Sequence, residues 1–248
     1  MDLGASFSTS YPVQNQLLAL LSDEEFNHIK AHLTRVRLVP DQVLIEQGQA
    51  TEHVFFIEEG MASLVAETGS SRPGIQVAMI GREGMVGGLA LLGPEQGSFT
   101  SAVMQMPGPA MRIPIGNLRR FIERSPTMRS ICSVSVHSLM RQIMQTAACN
   151  ARSTLAERCV RWLLMAHDRV DGNELPVTHE ALSAMLGVRR SGITVVLSGL
   201  QDAGLIRVNR GRITILDRAG LELAGGINPG LLGRGTTEEY RTGSLSFP

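Results

Sequence analysis

Two adjacent arginines, Arg189 and Arg190, stand with Ser191, Thr194 and Val195 at the head of an apolar-periodic run, directly after Gly187 and Val188. Guanidinium and hydroxyl groups gathered in this way can donate to phosphate oxygens and to the edges of bases. Arginine is the usual bidentate partner of guanine, and a valine in the same stretch can touch a thymine methyl. The start of a helix is also the positive end of its dipole, so two cations there call for an anion.

The surrounding residues supply the elements that would hold this group. Leu182, Met185 and Leu186 put an apolar stripe on one short helix. Ile193, Val196, Leu197 and Leu200 do the same on the next, at i, i+3, i+4 and i+7. Thr178, followed by His179, is a good N-cap for the first helix, and Ser183 is small where a second helix must cross. Gly187 supplies the positive φ that ends a helix in so short a turn. Residues 178–203 therefore predict a helix-turn-helix whose second helix enters the DNA major groove. On the two helices alone, an αα-hairpin with a solvated basic corner is the bland alternative. The run IRVNRGRITIL that follows argues against it, because it reads as a hairpin around Asn209-Arg210-Gly211. With Arg207, Arg210 and Arg212 near the tip this is a winged helix, its wing arginines suited to phosphates.

The whole chain has 248 residues, 43% of them hydrophobic, enough for one large core or two modest ones. Its net charge is zero, which taken alone argues against a strongly basic nucleic-acid binder. The charges are unevenly placed, however. Residues 1–126 carry 9 basic and 13 acidic groups, whereas residues 175–218 carry 6 and 3. No apolar run approaches membrane-spanning length and MDLGASFSTS lacks the features of a signal peptide, so a cytoplasmic protein is expected. Cys132, Cys149 and Cys159 show no CxxC spacing and read as reduced, half-buried thiols. Six scattered histidines offer no paired metal spacing. With no nucleophile–base pair or paired carboxylates either, neither an enzyme nor a cofactor is expected.

Residues 1–15 read as disordered, and Ser22 with Glu25 forms a capping box at the first helix. From Val36 the period alternates, predicting strands near 36–39, 43–46, 54–58, 61–66, 75–80, 84–86, 100–106 and 110–113. Five methionines in this region, Met79, Met85, Met104, Met106 and Met111, read as core filler. A short helix ends at Pro126 and a long helical run follows to Arg169. Within that run Cys132, Val136, Leu139, Ile143, Thr146 and Asn150 are spaced 4, 3, 4, 3, 4, the seam of a dimerisation helix. A hinge is expected near Arg152-Ser153-Thr154, and a mobile tail after the short helix RAGLELA.

The turns at Gly48 and Gly60, the run FFIEEGMASLV and the segment GREGMVGGLALLG resemble the cyclic-nucleotide-binding β-roll of the Crp/Fnr superfamily of bacterial transcription regulators. The resemblance covers roughly residues 17–218. It implies an α+β chain with an N-terminal antiparallel, jelly-roll-like β-roll at 16–126 and a long dimerisation helix at 127–152. A winged helix-turn-helix at 153–218 and a short helix with a tail at 219–248 complete it. The implied partners are double-stranded DNA, a second copy of the chain and RNA polymerase, with no membrane.

In the family, a Glu in the glycine-rich turn binds the ribose and an Arg shortly after binds the cyclic phosphate. Here the turn reads Gly87-Gly88-Leu89, with Gly88 at the Glu position and Ser98 at or near the Arg position. Cyclic AMP is therefore not expected in the usual pocket, and the effector is left open. No cysteine precedes Cys132 to hold an iron–sulfur cluster. Arg190 matches the family's leading recognition arginine, but the following Glu and Arg positions hold Ser191 and Val195, so the familiar TGTGA-type half-site is not expected. A small-molecule receptor whose winged helix docks protein is the rival reading, and salt-dependent duplex binding separates the two.

Overall fold

The computed structural model describes residues 13–67, 69, 74–93 and 97–226. They form two compact units, one of the described residues within 13–62 and 80–137, the other of those within 63–79 and 138–226.

The first unit begins with a feature the sequence reading placed in disorder. Residues 1–12 lie outside the described part, but Asn15 is fully buried. Its amide donates to the carbonyls of Ile57 and Gly84 at 2.8 and 2.9 Å, and its Oδ1 accepts from the N–H groups of Leu17 and Leu18. A buried side chain with every partner supplied fixes the chain start against the strands. Helix α1 (Asp23–Lys30) follows with the expected Ser22–Glu25 capping box. Strands β1 (Thr34–Leu38), β3 (His53–Ile57), β6 (Met85–Val86) and β8 (Gly108–Pro114) make a sheet in the order β1-β8-β3-β6. Each neighbouring pair in it is antiparallel. β2 (Val43–Ile45) pairs antiparallel with β7 (Ser101–Met106). Helix α2 (Ile115–Arg124) leaves the end of β8 and buries Leu118.

Fully buried Phe56, Leu17, Ile29, Leu38, Ile57, Met61 and Ile113 form the core of this unit. Met85, Met104, Met106 and Met111 are buried as well, each no more than 3% exposed, as expected of core filler. One turn is tightly constrained. Gly60 has φ +78°, and a Cβ there would lie 2.2 Å from the Met106 carbonyl oxygen. Gly60→Ala combines left-handed strain with a backbone clash and should cost about 2–4 kcal/mol. A urea midpoint unchanged by this substitution would contradict that packing.

The second unit holds the greater part of β4 (Met61–Ala66), its sheet neighbour β5 (Ile75–Ile80), and everything from the middle of α3 (Pro126–Arg152) onward. The long helical run is two helices. α3 stops at Arg152, and Thr154 starts α4 (Leu155–His167) with a second capping box, its hydroxyl on the Glu157 N–H. The break thus falls at Ser153 and Thr154. Cys159, Val160, Trp162, Leu163, Leu164 and Met165 form the buried face of α4. Helix α5 (His179–Leu186), helix α6 (Arg190–Asp202), strands β10 (Ile206–Asn209) and β11 (Arg212–Ile215), and α7 (Arg218–Ala224) follow. α7 is clamped to α4 through Arg218, which meets Asp168 at 2.8 Å, Glu222 at 2.9 Å and His167 Nδ1 at 2.8 Å. A guanidinium only donates, so His167 Nδ1 is the acceptor there. The tail expected after α7 lies outside the described residues. Cys132 and Cys159 are buried, which pushes each thiol up to about 12, and Cys149 is half-buried.

No helix among the described residues is long and apolar enough to cross a membrane.

Candidate nucleic-acid interface

The two-helix unit forms as its sequence directs. The Thr178 hydroxyl accepts from the Ala181 N–H at 3.1 Å and starts α5. Gly187, at φ +65°, ends it. The Val188 N–H reaches back to the Ser183 carbonyl and the Gly187 N–H to that of Ala184, the pair of bonds of a Schellman motif. Leu182, Ile193 and Leu197 are fully buried, and Met185, Leu186 and Leu200 nearly so. Ser183, the small residue expected at the crossing, is 4% exposed and donates its hydroxyl proton to the Glu180 carbonyl.

What remains outside is the chemical face. Arg189, Arg190, Ser191, Thr194 and Val195 are all exposed, Val195 to 72%. An aliphatic side chain left that open on a helix with a complete apolar stripe is free for contact with another surface. Arg189 is the N-cap of α6, and no side chain caps that helix start. Its uncapped first N–H groups and the positive end of the helix dipole fall in the same turn as Arg189 and Arg190, an arrangement suited to phosphate. Thr194 donates to the Arg190 carbonyl at 3.1 Å and lies 3.1 Å from His179 Nδ1. With the hydroxyl proton already placed, His179 must be the donor in that second bond. His179 and Thr194 therefore act as one polar pair beside Arg190. Glu180, which sequence reasoning passed over, lies 3.8 Å from Arg190 and is well exposed. An acid second in its helix carries no sign in the sequence that it will meet a cation ten residues on.

The wing is a tight hairpin, with Asn209 opposite Arg212 and Gly211 at φ +74°. The Gln201 side chain accepts from the Val208 N–H at 2.8 Å, which ties the wing to α6. A third strand, β9 (Glu174–Leu175), pairs with β11; two residues are too few for any periodicity to reveal. Through it Arg212 meets Glu174 at 3.1 Å, so that cation is already engaged, while Arg207 and Arg210 are exposed.

Half of the residues read from spacing as a dimer seam are covered within the chain itself. Cys132, Val136 and Leu139 are only 5%, 4% and 8% exposed within the single chain, so its own residues already cover them. Ile143 and Thr146 are half-buried, and Asn150 is exposed. One residue round, Ser133, His137, Met140, Met144, Ala147 and Ala151 have the same 4, 3, 4, 3, 4 spacing and are all exposed. On the inner face, Gln142 bonds both the N–H and the carbonyl of Met79 on β5, so that polar residue faces the strand.

In the glycine-rich turn, Gly87 has φ +94° and starts a short 3-10 turn from Gly88 to Leu91, with Leu89 half-buried. A Cβ on Gly88 would lie 2.9 Å from the methyl carbon of Met85. Ser98 donates its hydroxyl proton to the Thr100 carbonyl at 2.7 Å. Neither position offers a charge. Among the described residues no cluster of His, Cys, Asp and Glu could hold a metal ion.

Two domain models match the chain, a cyclic nucleotide-binding domain over residues 35–125 and a Crp-like helix-turn-helix domain over residues 157–224. The global nitrogen regulator of Synechococcus elongatus is 26% identical over 184 residues, covering 70% of this chain and 82% of that one. Among solved structures, the c-di-GMP responsive global regulator CLP of Xanthomonas campestris aligns with a TM-score of 0.63 at 18% identity, over 78% of this chain and 99% of that one. A CRP-family transcriptional regulator from Thermus thermophilus aligns with a TM-score of 0.63 at 21% identity, over 77% and 96%.

Proposed function

The chain belongs to the Crp/Fnr superfamily of DNA-binding transcription regulators, and from that premise we propose that it binds a pseudo-palindromic operator as a homodimer, without cyclic AMP. The observation that carries this reading is the exposed, uncapped start of α6, where Arg189, Arg190, Ser191, Thr194 and Val195 face outward. Two such helices related by a two-fold axis would occupy successive major grooves about 34 Å apart. Arg190 reads a base, Val195 touches a thymine methyl, and Thr178, His179 and Arg189 set the helix on the backbone. Arg210 contributes phosphate contact from the wing, and Arg212 does so on release from Glu174.

On this reading residues 16–126 are the sensor, 127–152 the dimerisation helix and 153–218 the DNA-binding domain, in a cytoplasmic protein that works with RNA polymerase and has no catalytic activity.

Arg190→Ala should cost about 1–3 kcal/mol per half-site and relax selection at one base pair. Arg210→Ala should instead weaken all sequences alike and lower the salt slope by about 1. Selection from random duplexes, followed by salt titration of the winning site, checks both. Base preference unchanged in Arg190→Ala would overturn this docking, and salt-independent binding would favour protein recognition by the wing.

A further inference from the structure

Arg158 and Arg161, one turn apart on α4, line a small cavity of the second unit together with Gln76, Thr146, Cys149 and Trp162. None of the residues around it is aspartate or glutamate. Arg158 gives one terminal N–H to the Leu186 carbonyl, and Arg161 gives Nη1 to the Thr146 hydroxyl at 3.4 Å. Nε of Arg158 and Nη2 of Arg161 are sealed from solvent with no hydrogen-bond partner. A buried donor left unmade is costly, and more so on an ion. Two neighbouring cations that line one cavity without a carboxylate, and that each keep an idle donor, mark a place for negative charge.

We propose that this cavity binds a small oxyanion, of the size of sulfate, phosphate or a carboxylate head group, between the two guanidinium groups with Thr146 beside it. The guanidinium fork matches an oxyanion better than it matches a spherical ion. The cavity measures about 30 Å³, room for a pair of waters or a small ion and not for a nucleotide. Burial pulls the Arg161 pKa below its ordinary value, against Cys149 and with Arg169 adding to the fall, and a bound anion would reverse that pull. The site uses none of the residues assigned to DNA, so it stands or falls apart from that reading.

Trp162 makes the site observable. It is the one tryptophan of the chain, it lines the cavity, and its Nε1–H donates to Gln76 Oε1 at 2.8 Å. Full-length protein is titrated with sodium phosphate, sodium sulfate and sodium acetate, each against sodium chloride at equal ionic strength. A saturable change in tryptophan emission, with a rise in Tm along the same curve, is the expected result. Arg161→Met should weaken it at least tenfold, and Arg158→Gln serves as the second variant should the first fail to melt cooperatively. Saturation by phosphate or sulfate alone assigns the site to inorganic oxyanions, and saturation by acetate extends it to carboxylates. A response no greater than that to chloride, or one unchanged in the folded variants, overturns the proposal.

Discussion

Met144→Glu is expected to leave the protein monomeric and to lower operator affinity by about 10²–10⁴-fold, the avidity lost when two linked half-site contacts become separate ones. Met144 is 64% exposed and Met140, one turn before it, 43%. Exposed Ala147 and Ala151 continue the same face with side chains small enough for close helix approach. Two-fold symmetry sets each residue near the axis beside its own twin, so a single glutamate becomes a pair of facing carboxylates in a desolvated seam. Ile143→Glu tests the register. Ile143 is half-covered by its own chain, so its replacement should disturb the fold of the protomer more and association less than Met144→Glu. Light scattering at micromolar protein decides between them; a stable Met144→Glu dimer would place the interface elsewhere.

Cyclic AMP and cyclic GMP are expected neither to bind at micromolar concentration nor to change operator affinity. A charge-assisted arginine–phosphate pair is among the stronger polar contacts a pocket can offer, and the Ser98 hydroxyl proton is already committed to Thr100. Losing such a pair at a site shielded from water costs about 4 kcal/mol, on the order of a thousandfold in affinity. Restoring the ribose-binding acid would need the Met85 methyl group, the far end of a flexible side chain, to shift from its place 2.9 Å from a Cβ on Gly88. Isothermal titration of the dimer with both nucleotides, paired with operator binding at saturating nucleotide, measures the outcome. Micromolar heat with tighter DNA binding would mean that another cation, Arg82 or Arg112, holds the phosphate.

The parts of this protein set by local rules were legible in its sequence. The strands announce themselves through alternation and glycine turns, and the two helices at 178–203 through their apolar stripes, Thr178 and Gly187. The exposed arginine face of α6 follows directly, because it is what the buried stripe leaves over. The register of α3 was not legible. Two of its faces carry the same 4, 3, 4, 3, 4 spacing, and the choice between them depends on the strand they meet. Gln142 satisfies the Met79 backbone, a contact between residues 63 apart that no helical pattern records. The pairing of Arg212 with Glu174 is of the same kind, since it exists only through the strand partnership of β9 and β11.

The break between α3 and α4 has a consequence for how the chain opens and closes. Ser153 still bonds back to the Cys149 carbonyl, but the Thr154–Glu157 box gives α4 its own beginning. A helix that owns its first turn needs no nucleus inherited from its neighbour. Fraying that starts in the exposed second half of α3 therefore has no ladder along which to spread past Ser153. Amide protons of α4 should then exchange with solvent as a separate, slower group, with a step in protection across two residues. The same boundary gives a folding chain two places to begin.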